Sequence, residues 1–432
     1  MNLQRARHGW CLYDWANSAF ATIILAAVLP VYLAAVVPPG GAEIDIFGFQ
    51  RVFSAATLWG YAVSASMLLV ALCAPALGAL ADSRNLHYPL LIGFALQGAC
   101  ATALLATTGP GDHFLLLALF MVANVGFAGG NIFYNSFLPA LASGADMDRL
   151  SARGYALGYL GGGLALLLAF LLIRYHQGFG FADTGSATRA GFLITGLWWG
   201  LFALPAFYLL RSAPSVPAKA RPRLGGLRGY LALFAEIRRY PELLRFLIAF
   251  LCYSDGIQTI ILVAALFGKE VIGLDQGTIL ACFLMIQFVA MPGTLMFGRL
   301  AARLGSRPTI LLGLTLFLAI TGYAFFIQHA WQFWLLAFFV ALVFGGCQAI
   351  SRSLYGSLIP KGKEAEYYSF FAISDKFASI LGPFIFALTA DLTGSTRTAI
   401  LSLSAFFLLG GLLLIRVDVD KGRSRAMTGD LL

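Results

Sequence analysis

The sequence predicts an all-α integral membrane protein whose twelve transmembrane helices form two six-helix bundles related by pseudo-two-fold symmetry. Of its 432 residues, 59% are hydrophobic and only 11% are charged, whereas soluble domains have about 45–50% apolar and about 25% charged residues. Apolar stretches of about 20 residues, the length that crosses a bilayer as a helix, recur along the chain. Two short motifs also recur at nearly one offset, which indicates an internal repeat.

The predicted spans are helical because backbone polar groups in lipid must be satisfied within the segment. They are placed between turn and charge clusters, at residues 11–36, 56–80, 89–108, 114–138, 154–173, 191–210, 243–267, 277–298, 308–327, 331–358, 367–390 and 398–415.

The longest polar connection, 211–242, is rich in proline, glycine and basic residues. We expect it to be a cytoplasmic linker between an N-terminal bundle at 1–210 and a C-terminal bundle with a short cytoplasmic tail at 243–432. A short surface helix is expected within it, near Leu231 to Arg239.

Lys and Arg are strongly biased to the loops on the N-terminal side of the predicted membrane. The positive-inside rule therefore places both termini in the cytoplasm, as expected in a bacterial inner membrane. The formal net charge of +9 is then explained by topology and does not indicate nucleic-acid binding. The six cysteines are scattered singly and have no metal-ligand spacing. We expect no cofactor and no metal, a monomer, and lipids and a small-molecule substrate as partners.

The repeat is carried by the ends of four spans. The segment Gly78 to Arg84 closes the second span, and Gly298 to Arg303 closes the eighth, about 220 residues later. A Tyr-x-Ser-x-x-Pro pattern ends the fourth span at Tyr134 and the tenth at Tyr355. Six helices repeated in the same orientation form a parallel repeat about an axis along the membrane normal.

The first span of each half contains an acid and an amide three residues apart, Asp14 with Asn17 and Asp255 with Gln258. Three residues is close to one helical turn, so each pair shares a helix face. A carboxylate within lipid costs several kcal/mol and is seldom kept without a partner or a task.

Two resemblances follow from these motifs. The Gly78-x-x-x-Asp82-x-Arg84 turn resembles the cytoplasmic loop motif of the major facilitator superfamily, and Ala302 replaces the acid in the second copy. More narrowly, the chain resembles the vacuole-effluxer-like family of autophagy-related permeases, including its bacterial members. The segments that carry this likeness are Tyr13 to Phe20, Gln348 to Leu354, Lys376-Phe377 and Leu381-Gly382-Pro383.

The resemblance implies that spans 1, 4, 7 and 10 line a central cavity, and the richest polar content does lie in those spans. The candidate substrate-binding or coupling residues are Asp14, Asn17, Asn131, Tyr134, Asp255, Gln258, Gln348, Arg352 and Tyr355, and the candidate gating residues are Asp82, Arg84, Asp375 and Lys376. The competing interpretation is that buried amides and hydroxyls join neighbouring helices, for about 0.6–2 kcal/mol each.

Three alternatives stay open for the charged candidates. For Arg352 the alternatives are pairing with Asp375 or action in a gate, binding of a substrate carboxylate or phosphate, and extension to the membrane surface. Asp255, near mid-membrane, binds and releases a coupling proton, binds a substrate ammonium group, or pairs with a neighbouring helix. Asp14 lies nearer the membrane edge, where a gate or helix-cap role competes with substrate contact.

No Walker loop, zinc-protease motif, nucleophile elbow or dinucleotide fingerprint occurs in the sequence, so we expect no enzyme. The sequence therefore predicts a secondary active transporter that moves a small polar organic solute by alternating access. An amino acid or short peptide is favoured through the resemblance, with proton coupling as a hypothesis. The alternatives are a translocator of lipids or amphipathic solutes, and a non-transporting membrane receptor.

Overall fold

The computed structural model describes residues 2–38, 40–46, 49–214, 226–274, 276–377 and 381–428. The described chain is almost entirely helical, as predicted. The first part of the chain, up to residue 214, forms eight α-helices and one hairpin: α1 (Leu3–Ala19), α2 (Leu29–Val36), β1 (Ala42–Ile46), β2 (Phe49–Phe53), α3 (Ala55–Arg84), α4 (His87–Leu104), α5 (His113–Ser136), α6 (Leu138–Leu141), α7 (Gly144–Arg174) and α8 (Thr184–Leu210).

The chain from residue 226 onwards forms ten α-helices. They are α9 (Gly226–Ile237), α10 (Pro241–Ile272), α11 (Gln276–Leu304), α12 (Ser306–Phe326), α13 (Ala330–Leu358), α14 (Glu364–Phe377), α15 (Leu381–Thr393), α16 (Thr396–Ser402), α17 (Ser404–Ile415) and α18 (Val419–Thr428).

Among the described residues, ten helices or continuous helix pairs are long and apolar enough to cross a membrane, and a bent pair at the N-terminus makes up to eleven. This confirms a multi-pass membrane protein. The predicted eleventh span, 367–390, coincides with α14 and α15, which lie on either side of residues 378–380, outside the described part of the chain. The count of twelve spans therefore stays a prediction.

The first predicted span is bent. A π-helix at Phe20–Ala27 follows α1, and α2 continues at an angle of 44° to the helix before it. Pro30 lies in the first turn of α2, where its missing N–H needs no helical acceptor. A π-helix together with a proline is a recognised cause of such a break.

The hairpin was not predicted. Its two strands pair antiparallel with Ala42 opposite Phe53 and Ile46 opposite Phe49, in the connection that follows the first predicted span. The connection 211–242 contains α9, which begins five residues before the predicted surface helix at Leu231.

The contacts divide the chain into two compact units. Unit 1 is Met1–Ala74, Leu86–Tyr134 and Leu157–Ala213, and unit 2 is Pro75–Asn85, Asn135–Ala156 and Pro214–Leu432. Residue boundaries of 1–210, 211–242 and 243–432 for two bundles and a linker stay a prediction.

Within unit 1, glycines allow α7 to approach the first span closely. A Cβ placed on Gly158 would lie 2.6 Å from Oγ of Ser18, and one on Gly162 would lie 2.5 Å from Oγ1 of Thr22. The spacing of four residues puts both glycines on one helix face, as close packing of membrane helices requires.

Candidate functional site

Asp82, the acid of the predicted loop motif, caps a helix in unit 2. Its side chain is 1% exposed, and its two carboxylate oxygens accept hydrogen bonds from the backbone N–H of Ala365 at 3.0 Å and of Glu366 at 2.9 Å. The first N–H groups of a helix have no partner within the helix. Asp82 therefore supplies acceptors and a negative charge to the N-terminus of α14, where both are stabilising.

The same turn of α14 has a second buried acid, Glu364, which is 5% exposed. Its carboxylate accepts the backbone N–H of Gly362 at 2.9 and 3.1 Å. Burial raises the pKa of the Glu364 carboxyl above its ordinary 4.5, and the hydrogen bond from Gly362 opposes that change.

Arg352 of α13 is 4% exposed and reaches the first part of α7. Its Nε donates to Oγ of Ser151 at 2.9 Å, its Nη2 donates to the carbonyl of Ser151 at 2.9 Å, and its Nη1 donates to Oδ1 of Asn135 at 3.3 Å. The guanidinium also lies over the ring of Tyr155, 4.2 Å from its centroid. Hydrogen bonds and a cation–π contact thus fix α13 against the ends of α5 and α7.

Asp148, one turn before Ser151, makes a further link in unit 2. It is 3% exposed. Its carboxylate accepts a hydrogen bond from the hydroxyl of Ser306 at 2.9 Å and one from the hydroxyl of Ser353. Ser306 is the first residue of α12. Asp148 therefore joins α7 to the start of α12 and to α13.

Tyr355, a predicted substrate-binding residue, holds α14 in place. Its hydroxyl donates to the carbonyl of Tyr367 at 2.7 Å, and its ring stacks on Phe371 with centroids 4.5 Å apart. The Tyr368 hydroxyl donates to the carbonyl of Arg352 at 3.2 Å. These contacts join α13 and α14 directly behind the turn that Asp82 caps.

Asp255 lies in α10 and is 2% exposed. Its Oδ1 accepts the backbone N–H of Gly382 at 2.9 Å, in the first turn of α15. A Cβ on Gly382 would lie 2.7 Å from that oxygen, so the close approach requires glycine. The carboxylate is thus paired with a neighbouring helix, which was one of the three alternatives.

Unit 1 brings together Asn17 and Asn131. The Nδ2 of Asn17 donates to Oδ1 of Asn131 at 2.8 Å. Tyr134 accepts a hydrogen bond at its carbonyl from Nε1 of Trp10 at 2.9 Å, and the two rings stack with centroids 4.5 Å apart. Asp14 is buried within α1, about three turns after its first residue and more than one turn before its last, so it does not cap that helix.

None of the remaining described candidates is fully buried. Gln258 and Gln348 are half-buried in unit 2, and Arg84 is exposed at the end of α3. The side chains of Asp375 and Lys376 lie outside the described part of the chain. The predicted pairing of Asp375 with Arg352 therefore stays a prediction, as do the assigned roles of the other candidates.

Sequence reasoning missed Asp148 and Ser151. Asp148 and Ser151 lie in a stretch of charged and small residues at a predicted loop, a composition typical of a solvated helix end. Their burial depends on Ser306, Ser353 and Arg352, which are distant in the sequence. No local pattern in the sequence marks either residue as buried.

Comparison with known proteins gives a consistent assignment. The family model described as Vacuole effluxer Atg22 like matches residues 2–147 and 144–427. An uncharacterized MFS-type transporter, YxiO of Bacillus subtilis, is 34% identical, with 96% of this chain and 95% of that protein covered. Autophagy-related protein 22 of Pyricularia oryzae is 25% identical, with 96% and 76% covered.

Among solved structures, the human organic anion transporter MFSD10 has a TM-score of 0.71 at 17% identity, with 96% of this chain and 100% of that chain covered. The likeness confirms the predicted major facilitator fold. The sequence relatives support a membrane transporter and point away from an enzyme, and they do not favour a lipid translocator or a receptor.

Proposed function

Because the chain belongs to the Vacuole effluxer Atg22 like family, we propose that it is a secondary active transporter that moves a small polar organic solute by alternating access. The observation that carries this proposal is the gate cluster of unit 2, which we define as Asp82, Asp148, Ser151 and Arg352 with their partners. Its buried charges join α3 and α7 to α12, α13 and α14 through hydrogen bonds.

Such contacts suit a reversible closure. Little free energy is lost when water replaces the hydrogen-bond partner of a buried charge. Separating a large apolar interface costs more, because it exposes apolar surface to water. A gate made of charges and hydroxyls can therefore open and close between two arrangements of the helices. In this proposal Arg352 is a gate residue, because its donors serve Ser151 and Asn135 and its plane covers Tyr155.

The proposed substrate is an amino acid or short peptide. The family description names an effluxer, and the amides of Asn17 and Asn131 offer the kind of neutral polar groups that orient such a solute. Asp14, Tyr134, Gln258 and Gln348 complete the proposed set.

Proton coupling through Asp255 is also proposed. A proton on this carboxyl removes the negative charge that accepts the Gly382 N–H. Proton binding therefore weakens the hydrogen bond between α10 and α15. Asp255→Asn keeps an acceptor oxygen and loses the titration, whereas Asp255→Leu loses both. Proton-driven transport should then fail in both variants, while exchange of solute without a gradient should survive only in Asp255→Asn.

The proposed arrangement has two bundles, 1–210 and 243–432, joined by the linker 211–242, with both termini in the cytoplasm of a bacterial cell. The protein is proposed to act as a monomer in the inner membrane. Cysteine labelling of Arg7→Cys and of a variant at the hairpin, in intact and in permeabilised cells, tests this orientation.

The decisive experiment is uptake by purified protein in liposomes, with a panel of radiolabelled amino acids, dipeptides, sugars and nucleosides, with and without an imposed pH gradient. We expect saturable uptake of an amino acid or dipeptide, its loss in Arg352→Lys, and no change in Arg303→Lys, an exposed arginine of α11. Absence of uptake for the whole panel, with folded protein in the liposomes, refutes the proposed substrate class.

A further inference from the structure

Helix α9, in the connection between the predicted halves, has two different faces. Its inner face contains Leu233 and Ile237, both fully buried. Its outer face leaves Leu231 59% exposed and Phe234 39% exposed, and the exposed Arg238 lies on the same side by helical spacing. An aqueous surface gives no reason to present a leucine and a phenylalanine side by side.

The inner face is attached to α14. Oε1 of Glu236 accepts hydrogen bonds from Nζ of Lys363 and from the hydroxyl of Tyr367, the latter at 3.0 Å. Phe234 lies at the border between the two faces, because its ring stacks on that of Phe370 with centroids 6.3 Å apart and is still 39% exposed. Through these contacts α9 is fixed to the turn of α14 whose N–H groups are capped by Asp82.

The end of α9 is close in sequence to a candidate membrane span. Arg239 is exposed and stands two residues before Pro241, where a candidate membrane span begins. The guanidinium of Arg238 lies 5.6 Å from the ring centroid of Phe234. Two arginines beside exposed apolar side chains are typical of a helix that lies in the membrane interface, with the apolar residues at the acyl boundary and the basic residues at the phosphates.

We propose that α9 binds anionic lipid headgroups through Arg238 and Arg239, with Leu231 and Phe234 in the acyl boundary. The bound lipid restrains α9, and the hydrogen bonds of Glu236 with Lys363 and Tyr367 extend this restraint to the turn of α14 that Asp82 caps. The lipid-binding surface does not depend on the proposed transport. The effect on the gate cluster rests on the proposed function.

The chemistry fits a phosphate-bearing lipid. A guanidinium donates a planar pair of hydrogen bonds to phosphate oxygens and is less strongly hydrated than an ammonium group. Anionic lipids attract basic residues near the surface additively. A free phosphate offers the same oxygens but no acyl chains for Leu231 and Phe234.

The test measures backbone hydrogen exchange of the full-length protein in nanodiscs of phosphatidylcholine alone and with a quarter of phosphatidylglycerol. Two arginines at an anionic surface should slow exchange in 231–237 by about 30-fold in the mixed discs. The variant Arg238→Gln with Arg239→Gln should lose this slowing. The matched variant Arg299→Gln with Arg303→Gln, which removes two exposed arginines of α11, should keep it.

Glu236→Gln separates the two parts of the proposal. Lipid should still slow exchange in α9, but the slowing at Ala365 and Glu366 should disappear. The lipid site is overturned if the wild-type protein exchanges equally fast in both kinds of disc. It is also overturned if the two double variants lose the slowing of exchange to the same extent. If inorganic phosphate or glycerophosphate reproduces the slowing in phosphatidylcholine discs, the site binds phosphate and the lipid proposal is wrong. A protein that shows the lipid effect but transports nothing refutes only the proposed function.

Discussion

Replacing Asp82 should loosen the first turn of α14 in a measurable way. The N–H groups of Ala365 and Glu366 have no acceptor inside the helix, so their protection from exchange depends on the two oxygens of Asp82 at 3.0 and 2.9 Å. A hydrogen bond to a charged group contributes about 1.5–3 kcal/mol, and loss of a cap alone costs about 0.5–2 kcal/mol.

From these values we expect Asp82→Ala to cost about 2–4 kcal/mol, because both bonds and the charge are lost. Asp82→Asn keeps one acceptor and should cost about 1–2 kcal/mol. Since 1.4 kcal/mol corresponds to a factor of ten, exchange at these two amides should accelerate about 30- to 1,000-fold in Asp82→Ala and about 5- to 30-fold in Asp82→Asn.

Hydrogen exchange with mass spectrometry on a peptide covering 364–369 measures this directly, with α4 as the internal reference. Asp146→Asn is the matched control. Asp146 is an exposed acid whose 3.5 Å pair with Arg149 is worth at most about 1 kcal/mol, and its loss should leave the α14 amides unchanged. Unaltered exchange of Ala365 and Glu366 in Asp82→Ala would refute the assignment of Asp82 as the cap.

Three further predictions follow from the buried contacts. Arg352→Lys should lower the unfolding temperature, with a loss of about 2–3 kcal/mol, because the three donors of a lysine share one nitrogen and cannot match the separate positions of Nε, Nη1 and Nη2. Ser151→Ala should cost about half as much, and equal stability of the lysine variant contradicts this reasoning. Gly382→Ala should lower the free energy of unfolding by more than about 2 kcal/mol or prevent folding, since its Cβ would overlap the carboxylate of Asp255. Wild-type expression and unfolding temperature of this variant would contradict the close approach of the two helices. Burial raises the pKa of Glu364 above 4.5, so the folded protein keeps this proton at a pH where the unfolded chain has lost it. The wild-type protein should therefore lose stability relative to Glu364→Gln as pH rises above about 4.5, and parallel stability profiles of the two proteins contradict this.

The predicted helices were recognisable because each depends on its own residues. Apolar runs such as 191–210 and 331–358 lie within α8 and α13, since a segment in lipid has to satisfy its backbone internally. The hairpin at Ala42–Phe53 was missed although its first strand alternates apolar and acidic residues, because the alternation covers only five residues and the second strand does not continue it. The bend near Pro30 combines this proline, which is visible in the sequence, with a π-helix at Phe20–Ala27, which no residue pattern marks.

The candidate site was only partly predictable. Asp255 and Arg352 were singled out because a charge inside an apolar run requires a partner or a task, and Asp82 because it belongs to the loop motif that closes the second span. Which partner each charge takes was not available from the sequence. Asp82 caps a helix 283 residues away, and Arg352 bonds Ser151 at a separation of 201 residues.

By itself, the sequence determined the membrane environment, the helical fold and the family, because hydrophobic runs and local motifs act over a turn or two of helix. Only the tertiary structure decided that Tyr355 contacts α14, that Asp255 accepts a hydrogen bond from α15, and that Asp148 joins α7 to α12. The physical reason is that a buried polar group is stabilised by whichever donor the packing of distant helices places within about 3 Å of it.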